Sequence, residues 1–286
     1  MLKMLDDLEH RTEPHFVENK LQILRLESFD VGSTLKSFSS VLNDGFTNLI
    51  FFVKNLTVVD GNNKTAERIA GQISSMEKKL ASMNFVSQAN MLLPCPDGFK
   101  GDFQGYVASL EATRVSLVAT AFTSLEEFNT YLAAFLGDKN SKISLKDDGR
   151  KYKALKDQRE AEKKLFESYF TSGVNQRQTM EKMFATKAEI IPTAKMSVTN
   201  WKALKQINLN DVKWRCDSIS AKLQVVMDMA SNKKDSDVSK QALLNLAEGS
   251  YEIARQVEHL ALFMARCEIA SVTTGNIFER LDKVLK

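Results

Sequence analysis

The stretch "IARQVEHLALFMARCEIASVTTGNIFERLDKVL" (residues 253–285) decides how the rest of this chain is read. Ile253, Val257, Leu260, Met264, Cys267, Ser271, Thr274, Phe278, Leu281 and Leu285 recur at alternating steps of four and three. That is the heptad spacing of a packing seam along one side of a helix. No proline follows residue 238, and Gly249 and Gly275 are the only strong helix-disfavouring residues there. The spacing predicts one C-terminal helix of about 48 residues, roughly 70 Å long.

The seam also disposes of a tempting chemical pair. His259 and Cys267 lie eight residues apart, which on a helix means about 12 Å along the axis and about 80° around it. A nucleophile and its base need hydrogen-bond reach of about 3 Å. Cys267 therefore reads as a small hydrophobe in the seam. His259, one residue before a seam position, is expected to point outward. The seam's small polar centre, Ser271 and Thr274, is expected to mark a close helix approach, a bend near Gly275, or a docking point for a partner subunit.

Working outward, nearly every segment between breakers has helical period. Residues 2–26 form an arm broken at Pro14, and Ser33 or Thr34 caps a helix toward Leu56. After the turn "DGNN" (60–63), a helix resumes near Thr65 with Ile69, Ile73, Met76, Leu80 and Met83 on one side. "LLPCPDGFKGDFQGY" (92–106) reads as a loop, and Asp102 as the cap of a long helix through Val107, Leu110, Leu117, Leu125, Phe128 and Leu132 to Phe135. A polar connection spans 137–149. It precedes a charged surface helix whose thin apolar stripe is Tyr152, Leu155, Leu165, Phe166 and Tyr169. Gly173 and Pro192 are expected to bound a shorter helix, followed by helices over 201–207 and 212–229. The last turn falls at 231–237. The fold class is mainly α: an elongated multi-helix bundle with long antiparallel helices and a long C-terminal helix. Its expected organisation is an N-terminal helical arm (1–32) and a single bundle domain (33–286).

Composition narrows the function. The 286 residues include 39 basic and 36 acidic ones, a net charge of +3, which does not by itself imply a nucleic-acid partner. Residues 138–205 hold 16 basic and 9 acidic residues, so this basic region is the candidate contact for DNA or an acidic surface. Cys95, Cys216 and Cys267 are widely spaced, without C-x-x-C, which suits a reducing compartment. The N-terminus lacks a signal-peptide core, and no run approaches the roughly 18 apolar residues of a stable membrane span. The expected setting is cytoplasmic.

The motif search favours no catalyst. Ferritin-like metal binding needs Glu-x-x-His, whereas Glu258 and His259 are adjacent, and His10 and His15 lie five apart beside Pro14. Nucleotide-binding, hydrolase and zinc-protease signatures are missing. The carboxylate pairs Glu126–Glu127 and Asp147–Asp148 are sequence neighbours and diverge on a helix. "GFKGDFQG" (98–105) precedes a helix and could present amides to an anion, but it reads as a structural loop. The expectation is a non-enzyme with no metal and no cofactor.

The run "SYEIARQVEHLALFMARCEIASVTTGNIFERL" (250–281) resembles C-terminal helices of virion structural proteins of large tailed bacteriophages, including helical proteins packaged inside the head. The resemblance covers about a tenth of the chain, contains no diagnostic motif and fixes no functional residue. It implies an assembly protein of the virion, made in the host cytoplasm, that packs against copies of itself or other virion subunits. Two alternatives remain open at this stage. One is a membrane-active, pore-forming type of bundle, for which "FTNLIFFVKNLTVV" (46–59) and residues 115–137 are the candidate segments. The other is a helical binding protein with a site built from distant residues.

Overall fold

The computed structural model describes residues 65–137, 148–171, 176–232 and 240–285. The expected arm (1–32), the helix toward Leu56 and the segment 46–59 lie outside the described residues. In chain order the described elements are α1 (Thr65–Ser82), α2 (Phe85–Gln88), β1 (Leu92–Pro94), α3 (Phe103–Phe135) and α4 (Asp148–Glu167). They continue with β2 (Arg177–Thr179), α5 (Met180–Met183), a 3-10 turn (Lys187–Glu189), α6 (Ile190–Lys205), α7 (Leu209–Asn232) and α8 (Lys240–Val284). The architecture is mainly α, and α8 is the long C-terminal helix, 45 residues without a break.

Two compact units are distinguished. Among the described residues, unit 1 comprises 118–159 and 208–261, and unit 2 comprises 65–117, 160–207 and 262–285. In unit 1, α7 buries Val212, Cys216, Ile219, Leu223 and Val226, a run of alternating four- and three-residue steps that keeps one stripe inward. From α3 the core takes Ala121, Leu125, Phe128 and Leu132, and from α8 it takes Ile253, Val257 and Leu260.

Polar links hold these helices in register. Arg215 bonds Glu126, while Ser218 and Lys222 both reach Asn129 Oδ1, at 3.0 and 2.5 Å. The near-constant sequence offset of these pairs means that α3 and α7 run parallel here.

Unit 2 is organised around an aromatic cluster. Tyr106 is fully buried, and its ring makes edge contacts with Phe99, Phe166, Tyr169 and Phe170 at centroid distances of 5.4–6.2 Å. Edge-to-face packing aligns ring quadrupoles favourably. The Tyr106 hydroxyl donates to the Arg266 carbonyl. Separately, α1 packs along α6. Lys187 Nζ donates to the carbonyls of Ala81 and Met83 (3.1 and 3.0 Å), at the C-terminal end of α1 where helix carbonyls lack partners.

The start of α3 shows how the local sequence sets geometry. Asp102 Oδ1 accepts from the Gly105 amide at 2.9 Å, capping the helix as expected. A Cβ at Gly105 would stand 2.3 Å from the other capping oxygen, so glycine is required for the cap to close. Gly101 has φ +124°, and a Cβ there would press to 2.8 Å from the Lys182 carbonyl. These two glycines let the chain pass beside α5 and turn into the helix.

Several sequence expectations are corrected. Residues 92–106 are not all loop: β1 pairs antiparallel with β2, Leu92 opposite Thr179, and α3 already begins at Phe103. The stretch between Gly173 and Pro192 is not one helix but β2, α5 and the 3-10 turn. Pro192 sits in the first turn of α6, where its missing N–H costs nothing because the first amides of a helix have no intrahelical acceptor. The helix expected over 201–207 therefore begins at Ile190. On α4, Leu165 is exposed, and the inward line runs through Leu155, Arg159, Glu162 and Phe166. Of the turn expected over 231–237, Ser231 and Asn232 belong instead to α7, and the rest lies outside the described residues.

Candidate functional site

The seam residues can now be placed one by one. Ile253, Val257 and Leu260 are buried in unit 1. Met264, Cys267, Ser271, Thr274, Phe278 and Leu281 are buried in unit 2, and Leu285 is half-buried. The seam does not stand apart from its surroundings, however. In unit 1, every residue from 252 to 261 is buried except Arg255. In unit 2, most of 263–278 is buried, and Arg266, Val272 and Asn276 form the more open stripe. Over residues 252–278, α8 is thus enclosed around most of its circumference.

This enclosure overturns one expectation. His259 does not point outward; it is only 6% exposed and engages a neighbouring group. Its angle on α8 does separate it from Cys267, but a residue off one seam reaches solvent only if the helix has an outer face there. The same enclosure explains why Glu252, Gln256, Glu258 and Glu268 are buried polar residues.

Such residues need partners, and the first of these partners comes from α4. Arg159 forms an ion pair through Nη2 with Glu252 Oε2 and donates from Nη1 to Gln256 Oε1 at 3.2 Å. Glu252 and Gln256 are one helical turn apart, so the two arms of a single guanidinium grip successive turns of α8. The pair is well shielded, at 12% and 11% side-chain exposure. Sequence periodicity had no place for Arg159, because a charged residue on a charged helix reads as solvent-facing. The available signal was its position: Leu155, Arg159, Glu162 and Phe166 step by four, three and four.

The polar centre of the seam splits in two. Thr274 Oγ1 donates to the Ala270 carbonyl at 2.8 Å, so its hydroxyl is satisfied within its own helix. Ser271 Oγ, 1% exposed with its residue, has no hydrogen-bond partner.

The cysteines are not poised for nucleophilic work. Burial, and secondarily Asp97, pushes the Cys95 thiol up to about 11. Burial, with Asp217, pushes Cys216 up to about 12. Burial also raises Cys267, against the opposing pull of Arg114 and Arg266. A reactive thiol needs the opposite shift.

The glycine-rich loop uses its amides internally. Phe99 donates to Pro96, Lys100 to Tyr169, Asp102 to Lys182 and Gly105 to the Asp102 side chain. Of the carboxylate neighbours, Glu126 is held by Arg215; Asp147, His10 and His15 lie outside the described residues. Among the described residues no group of three or more His, Cys, Asp and Glu is arranged to hold a metal ion. Also among them, no helix is long and apolar enough to cross a membrane. No family model matches the chain, and no curated protein or solved structure is significantly similar to it.

Proposed function

We propose that this chain is a non-enzymatic structural or assembly protein that acts by helix–helix packing within a larger complex, as a component of a bacteriophage particle. One observation carries the reading. α7 buries one stripe in unit 1, yet also exposes Trp214 (61%) and Val225 (47%). The two are eleven residues apart, three helical turns, and so share a side of the helix. A solvent-facing tryptophan supplies a large, rigid apolar surface of the kind that anchors protein interfaces. The occupant in this reading is another protein subunit, either a second copy or a different virion protein.

The basic region supports an additional electrostatic contact with DNA or an acidic surface. Lys153, Lys156, Lys163, Lys164, Lys195, Lys202 and Lys205 are all exposed. Binding through them weakens steeply with salt.

The test is light scattering of the purified full chain, paired with its recovery from native particles. Self-association or a fixed copy number in particles supports the reading, and Trp214→Ala should reduce either one while leaving the fold intact. A stable monomer that is absent from particles overturns it.

A further inference from the structure

The outer side of α7 carries a second seam besides the buried one. Trp214, Ser218, Ala221 and Val225 follow one another at steps of four, three and four, the d–a–d–a spacing of a coiled-coil stripe. Trp214, Ala221 and Val225 are exposed, while Ser218, at the edge nearest α3, is half-buried and bonded to Asn129. The stripe is small at its centre and bulky at its ends, so a second helix can come close along the same line.

The charges beside the stripe say which helix that is. With Trp214 and Ala221 at d and Ser218 and Val225 at a, Asp217 falls at g, and Arg215 and Lys222 fall at e. In two parallel, in-register helices a g side chain lies beside the e side chain five residues further along its partner. Such pairs set partner choice and orientation. Asp217 and Lys222 stand five residues apart. A second copy therefore sets Asp217 of each chain against Lys222 of the other, and two-fold symmetry forms the pair twice. Antiparallel helices bring e against e and g against g instead. Lys222 would then face the partner's Arg215, and neither Asp217 nor Lys222 would meet an opposite charge.

Both charges are free to be used this way. Asp217 pairs with Lys213 one turn back at 3.3 Å, with side chains 58% and 55% exposed, a solvated contact of the kind that contributes little. Lys222 Nζ donates to Asn129 Oδ1, Ser218 Oγ and the Asn129 carbonyl, at 2.5, 3.4 and 3.5 Å. Those acceptors are neutral, and among the described residues no carboxylate pairs with this ammonium. Arg215, by contrast, is already held by Asp211 and Glu126. We propose that this face of α7 docks the same face of a second copy, parallel and in register, with two Asp217–Lys222 pairs flanking a Trp214–Ala221–Val225 seam. The inference rests on the reading of α7 as an assembly face and names its occupant.

The experiment is sedimentation equilibrium of the full chain over a concentration series. A monomer–dimer equilibrium is expected. Asp217→Lys and Lys222→Glu each turn two opposite-charge pairs into two like-charge ones, and each should weaken dimerisation by at least about ten-fold. An equimolar mixture of the two variants restores opposite charges at both positions, so mixed dimers of about wild-type strength are expected. A variant that merely folds poorly is not rescued by mixing. Orientation is read by oxidising Ala221→Cys, which meets its own counterpart in the parallel pair and should cross-link rapidly, with the wild-type chain as the control for the native cysteines.

A chain that stays monomeric at every concentration overturns the inference. Its retention in native particles, lost on Trp214→Ala, then gives the face to a different subunit and leaves the assembly reading standing. Absence from particles as well overturns both. Dimers that ignore the charge changes, or are not restored by mixing, overturn the pairing. So do dimers in which Ala221→Cys cross-links to Ser218→Cys but not to itself, the antiparallel result.

Discussion

Replacing Arg159 by Met removes the guanidinium that holds Glu252 and Gln256 while keeping much of the side-chain stem in place. The magnitude follows from shielding. At 12% and 11% side-chain exposure, the Arg159–Glu252 pair is far from the solvated surface pairs that contribute little. Removing one partner strands the Glu252 carboxylate in a water-poor site, at a cost of about 3–5 kcal/mol. At about 2 °C per kcal/mol for a chain of this size, the unfolding midpoint should fall by about 6–10 °C. Urea denaturation at neutral pH, followed by circular dichroism, measures the free-energy loss directly. The companion variant Arg159→Met/Glu252→Met/Gln256→Leu removes both charges together. It should recover most of the loss, because an apolar set of similar volume is often neutral or stabilising relative to a buried ion pair. A loss below about 1 kcal/mol in the single variant would mean that water screens the pair as it does an exposed one. A triple variant as unstable as the single one would assign the effect to packing of the arginine stem instead. Either result refutes the electrostatic account.

Other expectations follow from the same contacts. Asp102→Ala should cost about 1–2 kcal/mol through loss of the α3 cap, while Asp102→Asn keeps the capping oxygen and should stay near wild type in chemical denaturation. Gly105→Ala should destabilise by at least about as much, since its Cβ meets the capping carboxylate. Arg68→Ala and Lys79→Ala break exposed pairs with Glu279 and Asp282, and each should change stability by less than about 1 kcal/mol. The thiols predict an alkaline limb. Raised folded values favour the neutral thiol, so stability is intact below the ordinary value of 9.0. It should then decline as pH rises through about 11 and 12, where Cys95 and Cys216 finally ionise in the folded chain. Alkylation of the native protein at pH 8 should accordingly be much slower than that of the unfolded chain.

Where the sequence was read correctly, the controlling interactions were local. Asp102 caps α3 through a residue three positions away. α1 and α8 keep their helical period over several turns with no interior proline. Where it was misread, the deciding partner was distant. β1 and β2 are three residues each and pair across more than eighty positions, too short to show alternation and joined by no hairpin. Pro192 reads as a stop because proline ends helices in their interior, yet at the first turn it is compatible with α6.

The candidate site was legible in part. Periodicity selected Ile253, Val257, Leu260, Met264, Cys267, Phe278 and Leu281 as inward-facing, and all are buried. It also drew notice to Ser271, whose hydroxyl is the one left without a partner. It could not find Arg159, which matters only because α4 lies against α8 within unit 1.

By itself, the sequence determined the helical class, the length of α8 and the face on which each helix is most apolar. These depend on backbone hydrogen bonds between near neighbours and on a period of 3.6 residues. Only the tertiary structure decided what surrounds each helix. Enclosure of α8 turned His259 from an expected outward-facing residue into a buried one, buried Glu252 and Gln256 with it, and assigned Arg159 its partners. Burial is a property of everything packed around a residue, so the angle of that residue on its own helix cannot supply it.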